Sequence, residues 1–254
     1  MATTKLSKYL DCKFDSIGPS QQDDGTITSG TASETNRLTM GGLDWSQFII
    51  GTQTTIVPAL SQLGVDIVQT DTNGQGMVLC PYTNARVSPL AFKIGTDPAF
   101  FAELTVQVTD WSGARLMFGF HGGAAATATQ VHKAVAAFGD YTDLALIGNY
   151  AGGAVDVYTQ QCINDEAPTD TDTTINLTDG DVMKATVYVS AAGVVTYALS
   201  LAATATDTTF VSQTITTAAQ TFDSTDVVVP MILLTNHTDT ASAVILKRLR
   251  VGYQ

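Results

Sequence analysis

The stretch "MKATVYVSAAGVVTYALSLA", residues 183–202, decides the fold class, because apolar residues recur with a period of two on both sides of Gly193. The residues that share one face are Ala185, Val187 and Val189 before the glycine, and Val195, Tyr197 and Leu199 after it. Period-two alternation around a glycine-containing connection predicts a β-hairpin. Nothing in this hairpin suggests reactive chemistry, so the question becomes what a chain built from such hairpins does.

Similar strand-length segments follow one another from Trp45 to the C-terminus, separated by turn residues such as Asp179-Gly180. In "FAELTVQV", residues 101–108, apolar and polar side chains alternate, which predicts an antiparallel sheet with one solvated face. In contrast, "VVVPMILL", residues 227–234, is apolar throughout, so we expect it to be buried on both faces, with an edge position or a bulge at Pro230. These patterns predict an all-β fold, a two-sheet antiparallel β-sandwich.

The N-terminal part has no sustained period. We interpret residues 1–45 as an extended N-terminal arm that contacts a partner, and residues 46–254 as the sandwich. The candidate partner-binding residues are Leu6, Tyr9, Leu10, Phe14, Ile17 and Trp45.

Composition excludes some functions. The 254 residues include 12 Lys and Arg against 24 Asp and Glu, a net charge of -12, which argues against binding to a nucleic-acid backbone. No apolar run reaches the roughly 18 residues of a membrane span, and the N-terminus lacks an apolar signal core. We therefore expect a protein made in a cytoplasm, with neither nucleic acid nor membrane as a partner.

Motifs for catalysis are missing from the sequence. Cys12, Cys80 and Cys162 are far apart and predict buried free thiols. The histidines have no metal-ligand spacing, and no nucleophile elbow or phosphate loop occurs. Glu103 lacks a second carboxylate among its same-face strand neighbours, which disfavours a polysaccharide hydrolase. The sequence predicts a protein that is not an enzyme and has no catalytic residue.

Two charged segments allow more than one interpretation. "NDEAPTDTDTT", residues 164–174, offers Asp165, Asp170 and Asp172 as candidate Ca²⁺ ligands, but it also fits a plain solvated turn, and no other cofactor is expected. The only cationic cluster is "KRLR", residues 247–250. A strand would point Lys247 and Arg248 to opposite faces, which favours edge protection or ion pairing over a binding patch.

Five segments follow one another in an order that resembles a known family. They are "VDIVQTDTNGQGMVLC", "FKIGTDPAFFAELTVQVTDWSGARLMFGF", "YTDLALIG", "DGDVMKATVYVSAAGVVTYALSLAA" and "VVVPMILLTNHTDTASAVILKRLRVGYQ". From about residue 55 to the C-terminus, this set resembles the concanavalin-like jelly-roll domains of small structural proteins of tailed phages. The resemblance implies a virion protein on the capsid exterior, a decoration or cement protein bound to the major capsid protein shell. It also implies a symmetric homo-oligomer, with a trimer favoured.

The leading hypothesis is therefore a non-enzymatic protein that decorates or cements a phage capsid through interfacial contacts. The alternative is a carbohydrate-binding or host-adhesion module of a phage tail or fibre. In that alternative, aromatic residues would line a sugar groove; the candidates are Trp45, Tyr82, Trp111, Tyr141 and Tyr150.

Overall fold

The computed structural model describes residues 9–16, 34–50, 58–68, 74–81, 88–123, 141–150, 155–164, 166–204, 209–237 and 243–254. Within these residues, eighteen strands form two nine-stranded antiparallel sheets. Sheet 1 contains β1 (Tyr9–Lys13), β4 (Pro58–Ser61), β5 (Gly64–Val68), β8 (Phe100–Val108), β13 (Val182–Val189), β14 (Val194–Ala202), β15 (Val211–Gln213), β16 (Gln220–Thr221) and β18 (Ala243–Tyr253). Sheet 2 contains β2 (Glu34–Met40), β3 (Leu43–Ile50), β6 (Gly76–Cys80), β7 (Phe92–Lys93), β9 (Ala114–Gly122), β10 (Leu144–Asn149), β11 (Asp156–Cys162), β12 (Thr169–Asn176) and β17 (Val227–Asn236).

Successive strands cross between the sheets in a jelly-roll pattern. β8 and β9 are neighbours in the chain but lie in different sheets, and so do β17 and β18. β8 pairs with β18 in sheet 1, while β9 pairs with β17 in sheet 2. The β8–β9 segment and the β17–β18 segment therefore run antiparallel to each other through both sheets. The predicted fold, a two-sheet antiparallel jelly roll, is confirmed.

The hairpin predicted for residues 183–202 is formed by β13 and β14, in continuous register from Val182 opposite Ala202 to Val189 opposite Val195. Gly193 closes its turn at φ +87°, and its N–H donates to the carbonyl of Ser190 at 2.9 Å. A positive φ favours glycine, and an added Cβ would also overlap the carbonyl oxygen of Phe222. The period-two pattern and its glycine therefore predicted this element correctly.

β17 is buried on both faces, as its continuous apolar sequence predicted. The expected edge or bulge at Pro230 is wrong, since β17 is a central strand and its register with β9 is unbroken. On its other side, β17 pairs with β7 at Val227 and Val228, and its pairing with β6 starts at Ile232. Pro230 lies in the gap between these two neighbours.

The structure differs from the predicted division at residue 45. β1 pairs with β18 along its whole length, and β2 and β3 form a hairpin in sheet 2. Phe14 and Trp45 are each 1% exposed, with ring centroids 5.8 Å apart, and Leu10 packs partly buried against the same core. These three side chains therefore pack in or against the core of the sandwich, and their contact with a partner stays a prediction.

The sequence pattern did not reveal β1, because the strand is short and its partner β18 lies at the far end of the sequence. No local period therefore marks it. Leu6, Ile17 and the side chain of Tyr9 lie outside the described residues.

The three cysteines are free and buried, as predicted. No helix among the described residues is long and apolar enough to cross a membrane.

Candidate functional site

The outer face of sheet 1 carries polar side chains on rigid strands. β8 alternates buried and half-buried residues, which sends Glu103 and Thr105 outward, and β13 sends Lys184 outward beside them. Strand register places Thr186, Glu103 and Arg250 in one row across the sheet and Lys184, Thr105 and Arg248 in the next. The alternation read from "FAELTVQV" is confirmed, and its solvated face forms the floor of a cleft.

This cleft has a volume of about 510 Å³, within the range of small-ligand sites. Five of the chain's 12 Lys and Arg residues line it, against two carboxylates, Asp15 and Glu103. The cations are Lys13, Lys184, Lys247, Arg248 and Arg250. Positive charge is thus concentrated in one cleft of a protein whose net charge is -12.

A β-bulge in β18 makes this concentration possible. The register with β8 shifts between Leu246 and Arg248, and both Leu246 and Leu249 are fully buried in the core. The two residues between these leucines, Lys247 and Arg248, both line the cleft. The prediction that they point to opposite faces is wrong, because the period of two stops at a bulge, which re-aims the side chains.

The bulge lies where two strands meet along one edge of β18. β5 pairs with residues 243–246 and β1 with residues 248–252, so Lys247 falls between them. The N–H of Phe14 donates to the carbonyl of Lys247 at 3.1 Å. The N-terminal strand therefore fixes the backbone from which the lysine projects.

Arg250 is held in place by neighbours in its row. Its guanidinium donates to Oε1 of Glu103 at 3.1 Å, and its Cζ lies 5.7 Å from the centroid of the Phe101 ring. The Oγ1 hydroxyl of Thr186 donates to the other carboxylate oxygen of Glu103 at 3.5 Å. A planar guanidinium fixed by a carboxylate and a ring is a pre-organised donor.

Arg248 pairs with Asp11 on β1, with Nε donating to Oδ1 at 2.7 Å and a second guanidinium nitrogen bonding the other oxygen. The hydrogen bond from Arg248 holds the pKa of Asp11 below its ordinary value. The ion pairing predicted for the cluster at residues 247–250 is thus present for Arg248 and Arg250.

The lysines have different surroundings. Nζ of Lys184 lies 4.6 Å from the centroid of the Phe210 ring, and among the described residues no ion pair accompanies this contact. Burial lowers the pKa of Lys247, and the charge of Asp66 opposes that effect in part. Both lysines line the cleft.

The outer face of sheet 2 is different, because it is apolar and covered. A second hydrophobic cluster lies on it and includes Phe48, Val78, Met117, Leu146 and Met231, all fully buried. His121 is buried there too, with Nε2 3.6 Å from Sγ of Cys80, and burial lowers its pKa to about 4. This face has no access for a ligand at these positions.

The aromatic groove considered for sugars is not formed by its candidate residues. Trp45, Trp111 and Tyr141 are 1%, 0% and 3% exposed, so they belong to the interior. Tyr150 packs partly buried against the cluster on sheet 2. Tyr82 lies outside the described residues.

The calcium candidates are not collected into a site within the described residues. Asp170 and Asp172 are exposed on β12, a strand and not a loop, and Oδ1 of Asp172 accepts the N–H of Thr174 at 2.7 Å. Asp165 lies outside the described residues. No group of three or more His, Cys, Asp or Glu side chains suited to a metal occurs in the part of the chain that the structure describes. Calcium binding stays a prediction.

A second pocket, of about 210 Å³, lies near the ends of β11 and β16. Two polar side chains that line it are bonded within the fold: Nε2 of Gln161 lies 3.3 Å and Oε1 of Gln220 lies 3.4 Å from the hydroxyl of Tyr197. Nε2 of Gln220 donates to the carbonyl of Leu144 at 2.7 Å, which links the two sheets. These bonds give the pocket a structural explanation.

No family model and no curated protein matches the sequence. Among solved structures, the chain is similar to a protein of unknown function from Shewanella oneidensis MR-1 at 12% identity, covering 100% of this chain and 90% of that one with a TM-score of 0.48. It is similar to the Emp47p carbohydrate recognition domain at 11% identity, covering 91% and 96% with a TM-score of 0.49. It is also similar to the endo-beta-1,4-glucuronan lyase of the fungus Trichoderma reesei at 10% identity, covering 98% and 96% with a TM-score of 0.47. Likenesses at this level assign neither a family nor an activity to the chain.

Proposed function

We propose that this protein is a non-enzymatic carbohydrate-binding module whose ligand lies in the cleft over sheet 1. The observation that supports this function best is the cleft itself, an open concavity of about 510 Å³ whose polar groups project from paired strands. Sugars are bound through many hydrogen bonds, and donors held by rigid elements lose little conformational entropy on binding.

The side chains of the cleft suit binding better than bond cleavage. The two carboxylates in its lining are Asp15 and Glu103, and Glu103 already accepts bonds from Arg250 and Thr186. Phe210 and Leu63 add apolar surface at the margins, against which the CH face of a sugar ring packs. Absence of enzymatic activity remains a prediction, and so does a place for this module in the tail or fibre of a phage.

The function is tested by screening the full chain against a glycan array and measuring hits by calorimetry. We expect binding that is lost in a Lys184→Ala/Arg250→Ala double variant. Lys93→Ala is the matched control, because Lys93 is exposed on β7, outside the cleft. No glycan binding by the wild-type protein, or equal binding by the cleft variant, would overturn the proposal.

The capsid-decorating role is a second candidate, supported by a different observation. The β4–β5 hairpin at one edge of sheet 1 exposes three large apolar side chains: Leu60 is 53% exposed, Leu63 38% and Val68 49%. An exposed apolar edge is suited to a protein partner that adds a strand or packs against it.

This second role is tested by mixing the protein with purified capsid shells and counting bound copies. We expect Leu60→Lys to reduce the number of bound copies. Val211→Lys, on the opposite edge strand β15, is the matched control and should leave it unchanged. Shells that bind no wild-type protein would exclude the role.

A further inference from the structure

The chemistry of the cleft also indicates which carbohydrates it takes. We propose that the ligand is an acidic glycan that carries carboxylates along its chain, as a polyuronate does. This inference rests on the proposed carbohydrate-binding function and deepens it by naming the ligand class.

The distribution of charge is the first argument. Five cations line the cleft with two carboxylates, and Asp11 and Asp66 act on two of these cations from beside it, whereas the other seven Lys and Arg residues share the rest of the chain with 20 Asp and Glu residues. A concave site with an excess of positive charge on a molecule of net negative charge focuses the field and attracts an anionic ligand selectively. A neutral sugar needs no such concentration of cations.

The second argument is the spacing of the cations across the sheet. Lys184 on β13 and Arg248 on β18 are separated by Thr105 on the intervening strand β8. Neighbouring strands lie roughly 4.8 Å apart, so the two cations project from backbones roughly 10 Å apart. A chain of sugar rings laid across the strands would bring successive carboxylates over successive cations, whereas a single small anion would engage one of them.

The third argument is that the cleft already binds carboxylates supplied by the protein. Asp11 pairs with Arg248 through two bonds, and Glu103 pairs with Arg250 at 3.1 Å. Guanidinium and carboxylate groups match in geometry, and charge-assisted bonds of this kind are stronger than neutral ones. These two pairs fix the arginines, and Lys184 and Lys247 extend the positive surface beside them.

Nucleic acid is the less favoured polyanion. Duplex DNA carries one negative charge per roughly 1.7 Å, and its affinity depends on many phosphate contacts spread over a wide basic surface. Here the basic surface is one cleft, and the acidic remainder of the chain would repel a long, densely charged backbone. A glycan chain has wider charge spacing, which suits a small number of cations collected in one cleft better.

The burial of Lys247 supports the same ligand class. Partial burial lowers its pKa and therefore disfavours its charged form. Asp66 offsets part of that cost, and a ligand carboxylate beside the ammonium group would offset more of it. The bulge in β18 places this half-buried lysine next to the arginine pairs.

The test is calorimetry on the full chain with four probes of matched length: a polyuronate oligosaccharide, the same oligosaccharide with its carboxyl groups reduced to alcohols, a sulfated oligosaccharide, and single-stranded DNA. We expect the polyuronate to bind at least about tenfold more tightly than the reduced analogue, because charge-assisted bonds are lost with the carboxylates. Binding should weaken as salt is raised from about 0.05 to 0.5 M, because exposed charges are screened.

Lys184→Gln and Lys247→Gln should each weaken polyuronate binding by about fivefold or more, since each removes one charge-assisted contact. Lys93→Gln, outside the cleft, should leave it unchanged. Circular dichroism checks that the variants are folded.

The outcomes separate the two proposals. If the reduced analogue binds as well as the polyuronate and the cleft variants weaken both, the carbohydrate-binding function stands and the acidic ligand class is wrong. Preference for the sulfated probe would overturn the assignment to carboxylates. Binding of DNA alone, or of no probe and no array glycan, would overturn both proposals.

Discussion

The two outer faces of the sandwich differ sharply, although both sheets contribute to the same core. On sheet 1, apolar and polar residues alternate, and the outward set is charged and partly exposed, as on β8 and β13. On sheet 2, β10 and β17 are buried on both sides, and a second apolar cluster covers the exterior. The exterior of sheet 2 therefore stabilises the fold, whereas the exterior of sheet 1 is open to solvent.

The physical basis is the different cost of exposing each face. Burial of a large apolar side chain contributes about 1.5–3 kcal/mol, so the exterior of sheet 2 adds substantially to stability. Ion pairs that are partly exposed contribute at most about 1 kcal/mol, so the exterior of sheet 1 adds little. Residues of sheet 1 can therefore change with less effect on folding.

The largest expected effect contrasts one phenylalanine on each exterior. Phe48 on sheet 2 is fully buried, and Phe48→Ala should cost about 3–5 kcal/mol in the free energy of unfolding. Phe101 on sheet 1 is half-buried beside Tyr188, and Phe101→Ala should cost about 1 kcal/mol. Urea unfolding measures both, and equal losses would contradict the contrast between the faces.

The second-largest effect should be a loss of stability at low pH through His121, on the exterior of sheet 2. Burial lowers the pKa of His121 to about 4 from an ordinary value near 6.5, so the unfolded chain takes up a proton more readily than the folded one. The contribution of neutral His121 to the free energy of unfolding is fully present above pH 6.5. On the order of 3 kcal/mol of it is lost as the pH falls towards 4.

The measurement for His121 is urea unfolding at several pH values, with His121→Gln as the comparison. The variant lacks the titrating group, so its stability should fall less than that of the wild type between pH 6.5 and 4. Parallel pH profiles for the two proteins would show that His121 does not control this loss.

The turn of the β13–β14 hairpin should come third. Gly193→Ala places a side chain at φ +87° and against the carbonyl of Phe222, and we expect a loss of about 2 kcal/mol or more. Gly180→Ala is the matched control, because its φ is +84° but nothing lies within 4 Å of an added Cβ. It should cost about 1 kcal/mol. Thermal unfolding distinguishes them, and equal losses would mean that Phe222 yields easily.

The smallest effect belongs to the exterior of sheet 1. Asp11→Asn removes the partner of Arg248, whose side chain is 42% exposed, and should cost less than about 1 kcal/mol, with the difference vanishing at high salt. A loss of several kcal/mol in urea unfolding would show that this pair stabilises the fold as strongly as the apolar cluster does.

The sequence predicted those elements whose evidence is local. The β13–β14 hairpin, the solvated face of β8 and the double burial of β17 follow from patterns within ten or twenty residues. β1 could not be found this way, since it forms by pairing with β18 at the other end of the sequence, where Tyr9 lies opposite Gly252 and Lys13 opposite Arg248. Phe14 directly follows β1, whereas Trp45 lies on β3 in a local hairpin with β2 that the sequence pattern did not reveal.

The candidate site was missed because of one bulge. Strict alternation separates Lys247 from Arg248, whereas the register shift brings both into the cleft. Lys184 lies in the predicted hairpin of residues 183–202, but Arg250 and Phe210, which line the cleft with it, come from another strand and a loop. The available signal was the set of three cations within four residues in a chain otherwise poor in them.

The most direct test of the central claim, that this protein acts through the open exterior of sheet 1, is amide chemical-shift mapping with a bound acidic oligosaccharide. The account predicts that the shifts cluster on β8, β13 and the bulge of β18, around Lys184, Lys247 and Arg250. Shifts clustered on the strands of sheet 2, with those cations unaffected, would contradict it.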